Sequence, residues 1–213
     1  MGLLEWLGLG KPDYPPIPTL IVTGITGSGR KALIKRLVDA LGPDVKIGVV
    51  MYDTHASEAI QEKENVTVRA YVHAAGACAC HGSAMTPVRQ SVRKAADELK
   101  PDALILQVGR GHNAQEVLQD LLKIQPRVKI AGMTVCLRAD SAIGDLRDAQ
   151  DDLATYVRAA GQVVIEPSES GQDWMAEQVR QRIAAFNPKA LVTEDREQAV
   201  EVMKRQIEET KPK

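Results

Sequence analysis

A glycine-rich segment between a strand pattern and a helix pattern limits what this sequence can fold into more than any other feature. It reads GITGSGRK over residues 24–31 and follows a β-branched apolar run at 19–23. After it, apolar residues recur at helical spacing as far as Leu41. Glycines permit a tight turn, and the amide groups that open a helix attract anions. The pattern predicts a strand, a phosphate-binding loop and a helix, in that order.

Two positions of this loop depart from the usual phosphate-loop pattern, G-x-x-x-x-G-K-[ST]. Arg30 stands where a lysine normally reaches the outer phosphates, and Lys31 stands where a hydroxyl normally ligates magnesium. Arg30 keeps the positive charge, whereas a protonated Lys31 cannot coordinate a metal ion. We expect phosphate binding without efficient turnover; the alternative is a glycine turn that holds no ligand. The expected ligand-binding residues are Gly24, Gly27, Ser28, Gly29, Arg30, Lys31 and Ala32.

Apolar strand patterns alternate with helical patterns along the rest of the chain. The further predicted strands are 45–51, 66–72, 103–108, 130–137 and 162–165. The further predicted helices are 87–99, 114–124, 142–159, 174–186 and 194–209. Strands that are apolar on both faces and alternate with helices form parallel sheets covered on both sides. The sequence predicts a three-layer α/β fold of the P-loop NTPase type, with a mostly parallel sheet and helices on both faces.

The length of the chain, 213 residues, allows one sizeable core. We expect an N-terminal lead-in at 1–17, a nucleotide-binding domain at 18–192, and a C-terminal helix and tail at 193–213. The lead-in carries an apolar group that either packs on the domain or anchors it to a membrane or a partner. This group is Leu3, Leu4, Trp6, Leu7 and Leu9.

Charge and cysteine content exclude several functional classes. The formal net charge is -1, without the clustered basic excess typical of nucleic-acid binding. Three cysteines are too few for a disulfide framework and fit a reducing compartment. No segment approaches the ~20 apolar residues of a membrane span. We expect a cytoplasmic protein that neither binds nucleic acid nor spans a membrane.

A short cluster of Cys78, Cys80 and His81 is the second chemical feature. Thiolates and an imidazole are ligands that suit zinc or a similar transition metal. The alternatives are a redox pair, or small buried thiols beside an exposed histidine. Four further side chains follow predicted strands and are candidates to converge on the same edge of the sheet. They are Asp53, His55, His73 and His112.

Three motifs, taken in order, resemble those of the CobW-type GTPases, relatives of the nickel-insertion GTPases for hydrogenase and urease. They are the T-G-x-x-G-S-G loop at 23–29, the cysteine motif at 76–81, and Asn187-Pro188-Lys189-Ala190 for the family's N-P-x-A. The resemblance covers about residues 18–192. Members of the family are commonly metallochaperones for zinc or cobalt. The resemblance implies GTP or another nucleotide at the loop, and a zinc-class ion at Cys78, Cys80 and His81.

The departures from that family concern turnover and base recognition. Beyond Arg30 and Lys31, Gln107 replaces the acidic residue that ends a strand and is associated with metal and water. Residues 166–169 read EPSE where the family has its guanine-reading N-K-x-D. Ala77 and His81 replace the first glycine and last cysteine of the metal motif. After Ala190 only a helix is expected, and not the family's second domain.

The sequence leaves three functional hypotheses. The first is a metallochaperone-type domain with weak or absent GTP hydrolysis, which couples a nucleotide to a metal ion and serves a metalloprotein client. The second is a catalytically dead pseudo-GTPase that acts as an interaction or scaffold module. The third is an enzyme with a rearranged catalytic set, for which Arg110, His112 and Asp140 are candidates. Enzymatic activity, base specificity and a homodimeric assembly stay open.

Overall fold

Seven strands form one sheet in this protein. The computed structural model describes residues 12–25, 27–52, 60–71, 88–109, 113–146, 152–167 and 173–212. The strands are β1 (Ile17–Gly24), β2 (Ile47–Tyr52), β3 (Val66–Tyr71), β4 (Ala103–Val108), β5 (Val128–Arg138), β6 (Gln162–Glu166) and β7 (Leu191–Thr193). The helices are α1 (Arg30–Leu41), α2 (Val88–Leu99), α3 (Ala114–Leu122), α4 (Ala139–Asp145), α5 (Asp152–Ala159), α6 (Asp173–Phe186) and α7 (Arg196–Thr210).

The strand order β3-β2-β4-β1-β5-β6-β7 places β1 at the centre of the sheet. All six neighbouring pairs of these strands are parallel. Parallel strands end at the same edge, so the segments that follow β1, β4, β5 and β6 meet there. The glycine loop follows β1 and therefore lies between the ends of β4 and β5.

Helices cover both faces of the sheet, but unequally. On one face α1 and α7 pack through side chains such as Leu33, Leu37 and Met203. On the other face α2 to α6 pack through side chains such as Val92 and Val179. Burial of one large aliphatic side chain contributes about 1.5–3 kcal/mol, so both helical layers stabilise the sheet. The predicted three-layer α/β fold with a P-loop NTPase-like architecture is confirmed.

Two elements differ from the sequence-based prediction. The single helix expected at 142–159 is two helices, because α4 ends at Asp145 and a turn follows at Leu146. Leu146 is fully buried, so the apolar spacing continues through the turn and conceals it. Strand β7 was not predicted, since it has three residues and only Thr193 among them is buried.

The proline-rich lead-in is fixed at the edge of the sheet opposite the glycine loop. The Tyr14 hydroxyl donates to Asp97 of α2 at 2.5 Å, and Arg127 Nε donates to the same carboxylate at 3.0 Å. Nearby, Lys100 Nζ lies 2.8 Å from Asp13 Oδ2. These contacts hold the start of β1 against the α2–β4 turn.

Candidate phosphate-binding site

The backbone of the loop needs glycine at three positions. Gly24, Gly27 and Gly29 have φ angles of 143°, 76° and 73°, a region that side chains other than glycine rarely adopt. A Cβ atom on Gly24 would also strike the carbonyl oxygen of Cys136 on β5. Thr26, between these glycines, lies outside the described residues.

Two hydroxyl groups hold the loop in shape from within. The Ser28 hydroxyl is buried and donates to the Ile25 carbonyl oxygen at 2.6 Å. The Thr23 hydroxyl donates to the Val108 carbonyl oxygen at 3.0 Å, which ties the end of β1 to the end of β4. The Ser28 side chain therefore braces the loop, and any ligand contact from this residue falls to its backbone.

Helix α1 begins in a way that suits an anion. Its N-cap is Gly29, which provides no side-chain hydrogen bond, and its first turn contains no acidic residue. The first amide groups of a helix have no intrahelical partner, and the helix dipole favours negative charge beside them. The amides of Arg30, Lys31 and Ala32 are therefore donors for phosphate oxygens.

The Arg30 side chain turns towards β4. Its Nη1 atom donates to the Val108 carbonyl oxygen at 3.0 Å, the same oxygen that accepts from Thr23. The guanidinium thus adds positive charge at the junction of loop and β4 while it stabilises that junction. Gln107, the preceding residue on β4, is fully buried and pairs in register with Val22 of β1.

A second arginine, Arg138, lies against the loop from the end of β5. Its Nη1 atom is placed 3.3 Å from the position that a Cβ atom on Gly27 would take. Its Nη2 atom donates to Asp140 Oδ2 at 2.7 Å, so the carboxylate fixes the orientation of the guanidinium. Both side chains are about 30% exposed, at 29% and 27%. The sheet thereby brings Asp140, a predicted candidate, to the loop.

An ion pair supports the loop from the side of β6. The Glu166 carboxyl carbon is 2.8 Å from the position that a Cβ atom on Gly29 would take. Arg196, the first residue of α7, donates Nε to Glu166 Oε1 at 2.7 Å and Nη2 to Oε2. Such two-point guanidinium–carboxylate pairs are among the strongest hydrogen-bonded contacts in proteins. The hydrogen bond from Glu166 raises the pKa of Arg196 above its usual value.

The third cysteine, Cys136, is buried beneath the same loop and pairs in register with Gly24. Burial raises the pKa of its thiol to about 12, although the neighbouring Arg30 acts in the opposite direction. Cys136 is therefore protonated at neutral pH. A buried thiol of this kind is an inert packing group.

The predicted metal ligands Cys78, Cys80 and His81 lie outside the described residues, as do several other candidates. The others are Asp53, His55, His73, Arg110, His112, Ser168 and Glu169. Among the residues that the structure does describe, no group of three histidine, cysteine or carboxylate side chains is arranged to hold a metal ion.

Sequence reasoning missed Arg138 and Arg196. A signal for Arg138 existed, because it directly follows the predicted strand 130–137 and such strand ends converge. Arg196 carried no local signal, because its position depends on how β7 and α7 pack after a segment distant in sequence.

A parallel sheet with a glycine loop between its central strand and a helix defines the P-loop class of nucleotide-binding domains. The sequence profile of one family in this class, the CobW/HypB/UreG nucleotide-binding domain, matches residues 18–194. The chain belongs to this family. No curated protein sequence gives a significant match.

Solved structures of related proteins share the fold. Hydrogenase maturation factor HypB from Archaeoglobus fulgidus is similar with a TM-score of 0.57 and 15% identity, over 90% of each chain. HypB from Helicobacter pylori in complex with nickel gives a TM-score of 0.52 and 17% identity, over 92% of this chain and 90% of that one. A LAO/AO transport system kinase gives 0.52 and 16%, over 91% of this chain and 56% of that one.

None of the helices in the described part of the chain is long and apolar enough to cross a membrane.

Proposed function

We propose that this protein is a nucleotide-binding domain of metallochaperone type in which GTP hydrolysis is weak or absent. The observation that carries the proposal is the loop itself: three glycines with positive φ angles precede a helix whose N-terminus has no side-chain cap. Backbone amides and helix dipole then bind phosphate without depending on the altered side chains.

The residues at the loop do not fit magnesium. The ion is normally held by a hydroxyl after the loop and by a nearby carboxylate. Here Lys31 occupies the first position and brings a positive charge, and the neutral Gln107 occupies the second. We therefore assign no magnesium-dependent hydrolysis step to this site.

The base of the nucleotide is left open by this proposal. Glu166 stands where the family's base-reading motif begins, and both oxygens of its carboxylate accept hydrogen bonds from Arg196. A carboxylate cannot donate a hydrogen bond, so the usual donor to guanine is absent at this position. GTP is one candidate ligand and ATP another.

The metal part of the proposal rests on the family and on residue chemistry. A zinc-class ion would be held by Cys78, Cys80 and His81, which supply two thiolates and an imidazole. The Helicobacter pylori HypB structure contains nickel, which supports metal handling as the role to test here. A metalloprotein client, a homodimeric assembly and a cytoplasmic location belong to the same proposal.

A scaffold role is the second candidate function. It is favoured by one contact, the hydrogen bond from Arg30 to the Val108 carbonyl, because that contact uses the loop cation for internal structure. In that case the loop would serve only to join β1 and α1.

The two functions are separated by a thermal-shift panel of GTP, GDP and ATP, each with magnesium, with EDTA and with zinc. A nucleotide at about 100 times its Kd should raise the melting temperature by about 5–10 °C, since it binds only the folded state. Zinc should stabilise the wild type more than Cys78→Ala/Cys80→Ala, and Cys136→Ala, outside the motif, is the matched control. No rise with any nucleotide would favour the scaffold.

A further inference from the structure

We infer that this loop binds phosphate without a divalent cation, because Arg138 supplies the positive charge that magnesium would otherwise bring. The inference rests on the proposed phosphate binding and specifies how it is achieved. It concerns a residue that lies outside the glycine loop in sequence and reaches it only through the sheet.

The first step of the argument is the charge balance around the loop. Six charged side chains of the described residues lie in the loop or against it. The cations are Arg30, Lys31, Arg138 and Arg196, and the carboxylates are Asp140 and Glu166. Four positive charges against two negative ones leave an excess of two. A further cation would be repelled from this environment, whereas a phosphate group would be attracted to it.

The second step is the separate use of the two carboxylates. Glu166 is held by Arg196 beside Gly29, and its side chain is only 11% exposed. Asp140 is held by Arg138 and is 27% exposed. Each carboxylate is therefore matched by its own arginine, and the charges of Arg30 and Lys31 remain as the excess.

The third step is the geometry of Arg138. Strand β5 lies next to β1, so the side chain at the end of β5 reaches across the loop at Gly27. The contact of Nη2 with Asp140 holds the planar guanidinium in one orientation beside the loop amides. A guanidinium held in this way can donate two hydrogen bonds to one phosphate group. Arg138 is thus a binding residue and Asp140 a positioning residue.

The test uses pyrophosphate as the probe, because it contains phosphate groups and no base. Isothermal titration of the full chain in magnesium chloride and in EDTA should give the same Kd within about twofold. Arg138→Gln should weaken binding by about tenfold or more in both buffers, the loss expected for a charge-assisted hydrogen bond. Arg138→Lys should recover part of this loss, since it keeps the charge without the fork.

The matched control is Arg180→Gln, which removes an arginine of α6 whose partner Glu194 lies 2.6 Å away, as in the Arg138 pair. It should leave the pyrophosphate Kd unchanged. The ligand-free melting temperatures of Arg138→Gln and Arg138→Lys separate a loss of binding from a loss of folding. If Arg138→Gln is unstable, the comparison of Arg138→Lys with wild type decides.

The outcomes separate this inference from the proposed function. Binding that requires magnesium, or that Arg138→Gln leaves intact, overturns the inference and leaves phosphate binding standing. No binding of pyrophosphate or of any nucleotide in either buffer overturns both. Equal affinity in the two buffers together with the loss in Arg138→Gln supports both.

Discussion

At the scale of single residues, the three glycines of the loop serve two physical purposes. Gly27 and Gly29 leave room for side chains, since Arg138 lies beside the first and Glu166 beside the second. Gly24 leaves room for the backbone of β5, because its α-carbon faces the Cys136 carbonyl. A side chain can move aside when space is reduced, but a paired strand cannot. The loop therefore tolerates change least at Gly24.

Gly24→Ala should destabilise the protein by about 3–5 kcal/mol, because an unfavourable φ angle is combined with a clash against backbone. Gly42→Ala is the matched control: Gly42 has a φ angle of 83°, but a Cβ atom there meets nothing within 4 Å. It should cost only the conformational term, about 1–2 kcal/mol. Urea denaturation of the ligand-free variants measures both, and equal losses would contradict the proposed clash.

At the scale of elements, the start of α7 connects the C-terminal helix to the loop. Asp195 caps this helix by accepting from the amides of Glu197 at 2.8 Å and Gln198 at 3.2 Å. The next residue is Arg196, a cation at the end of the helix where the dipole disfavours it. Glu166 compensates that cost, and the pair lies against Gly29. The direction of α7 thus decides where the ion pair meets the loop.

Asp195→Ala should therefore have two effects. It should lower the free energy of unfolding by about 1 kcal/mol, the usual cost of a lost N-cap. It should also weaken pyrophosphate binding, because Arg196 and Glu166 lose their fixed position. Asn113→Ala removes the comparable cap of α3, where Asn113 accepts from Gln115 N at 2.8 Å. That control should lose similar stability with unchanged binding, and an identical effect of both variants on binding would argue against the connection.

Local patterns predicted the strand, loop and helix around Gly24 because each of those signals lies within about one turn or strand of the chain. The break at Leu146 was missed because a buried leucine at a turn has the same spacing as one in a helix. The Glu166–Arg196 pair was missed because its partners are 30 residues apart and meet only after β7 and α7 have packed. The site could thus be predicted as a loop, but not as a set of contacts.

At the scale of the whole molecule, two acidic groups are buried without charge, one in each layer between helices and sheet. Cys136 belongs to the layer beneath α1 and α7, and Tyr156 to the opposite layer. Burial raises the pKa of the Cys136 thiol to about 12, from a reference of 9.0, and raises that of the Tyr156 hydroxyl as well. Unfolding releases both groups to water, where they ionise more readily.

Stability should consequently fall as the pH rises above about 9. Between the unfolded and folded pKa of Cys136 the unfolded chain binds fewer protons, so the free energy of unfolding falls with rising pH by up to about 1.4 kcal/mol per unit. Below pH 9 this group has no effect. Urea denaturation of wild type and Cys136→Ala at pH 8, 9 and 10 measures the slope. Cys136→Ala should show the smaller decline, and parallel curves would contradict the assignment.

The unequal helical layers have a practical consequence for recombinant work. The family profile stops at residue 194, yet α7 supplies one of the two helices on its face of the sheet. Its apolar side chains are at most 2% exposed; they are Ala199, Val200, Met203 and Ile207. A fragment trimmed at the family boundary would leave the surface beneath them wet, and large exposed apolar patches promote self-association. The natural trimming point for expression lies beyond Thr210.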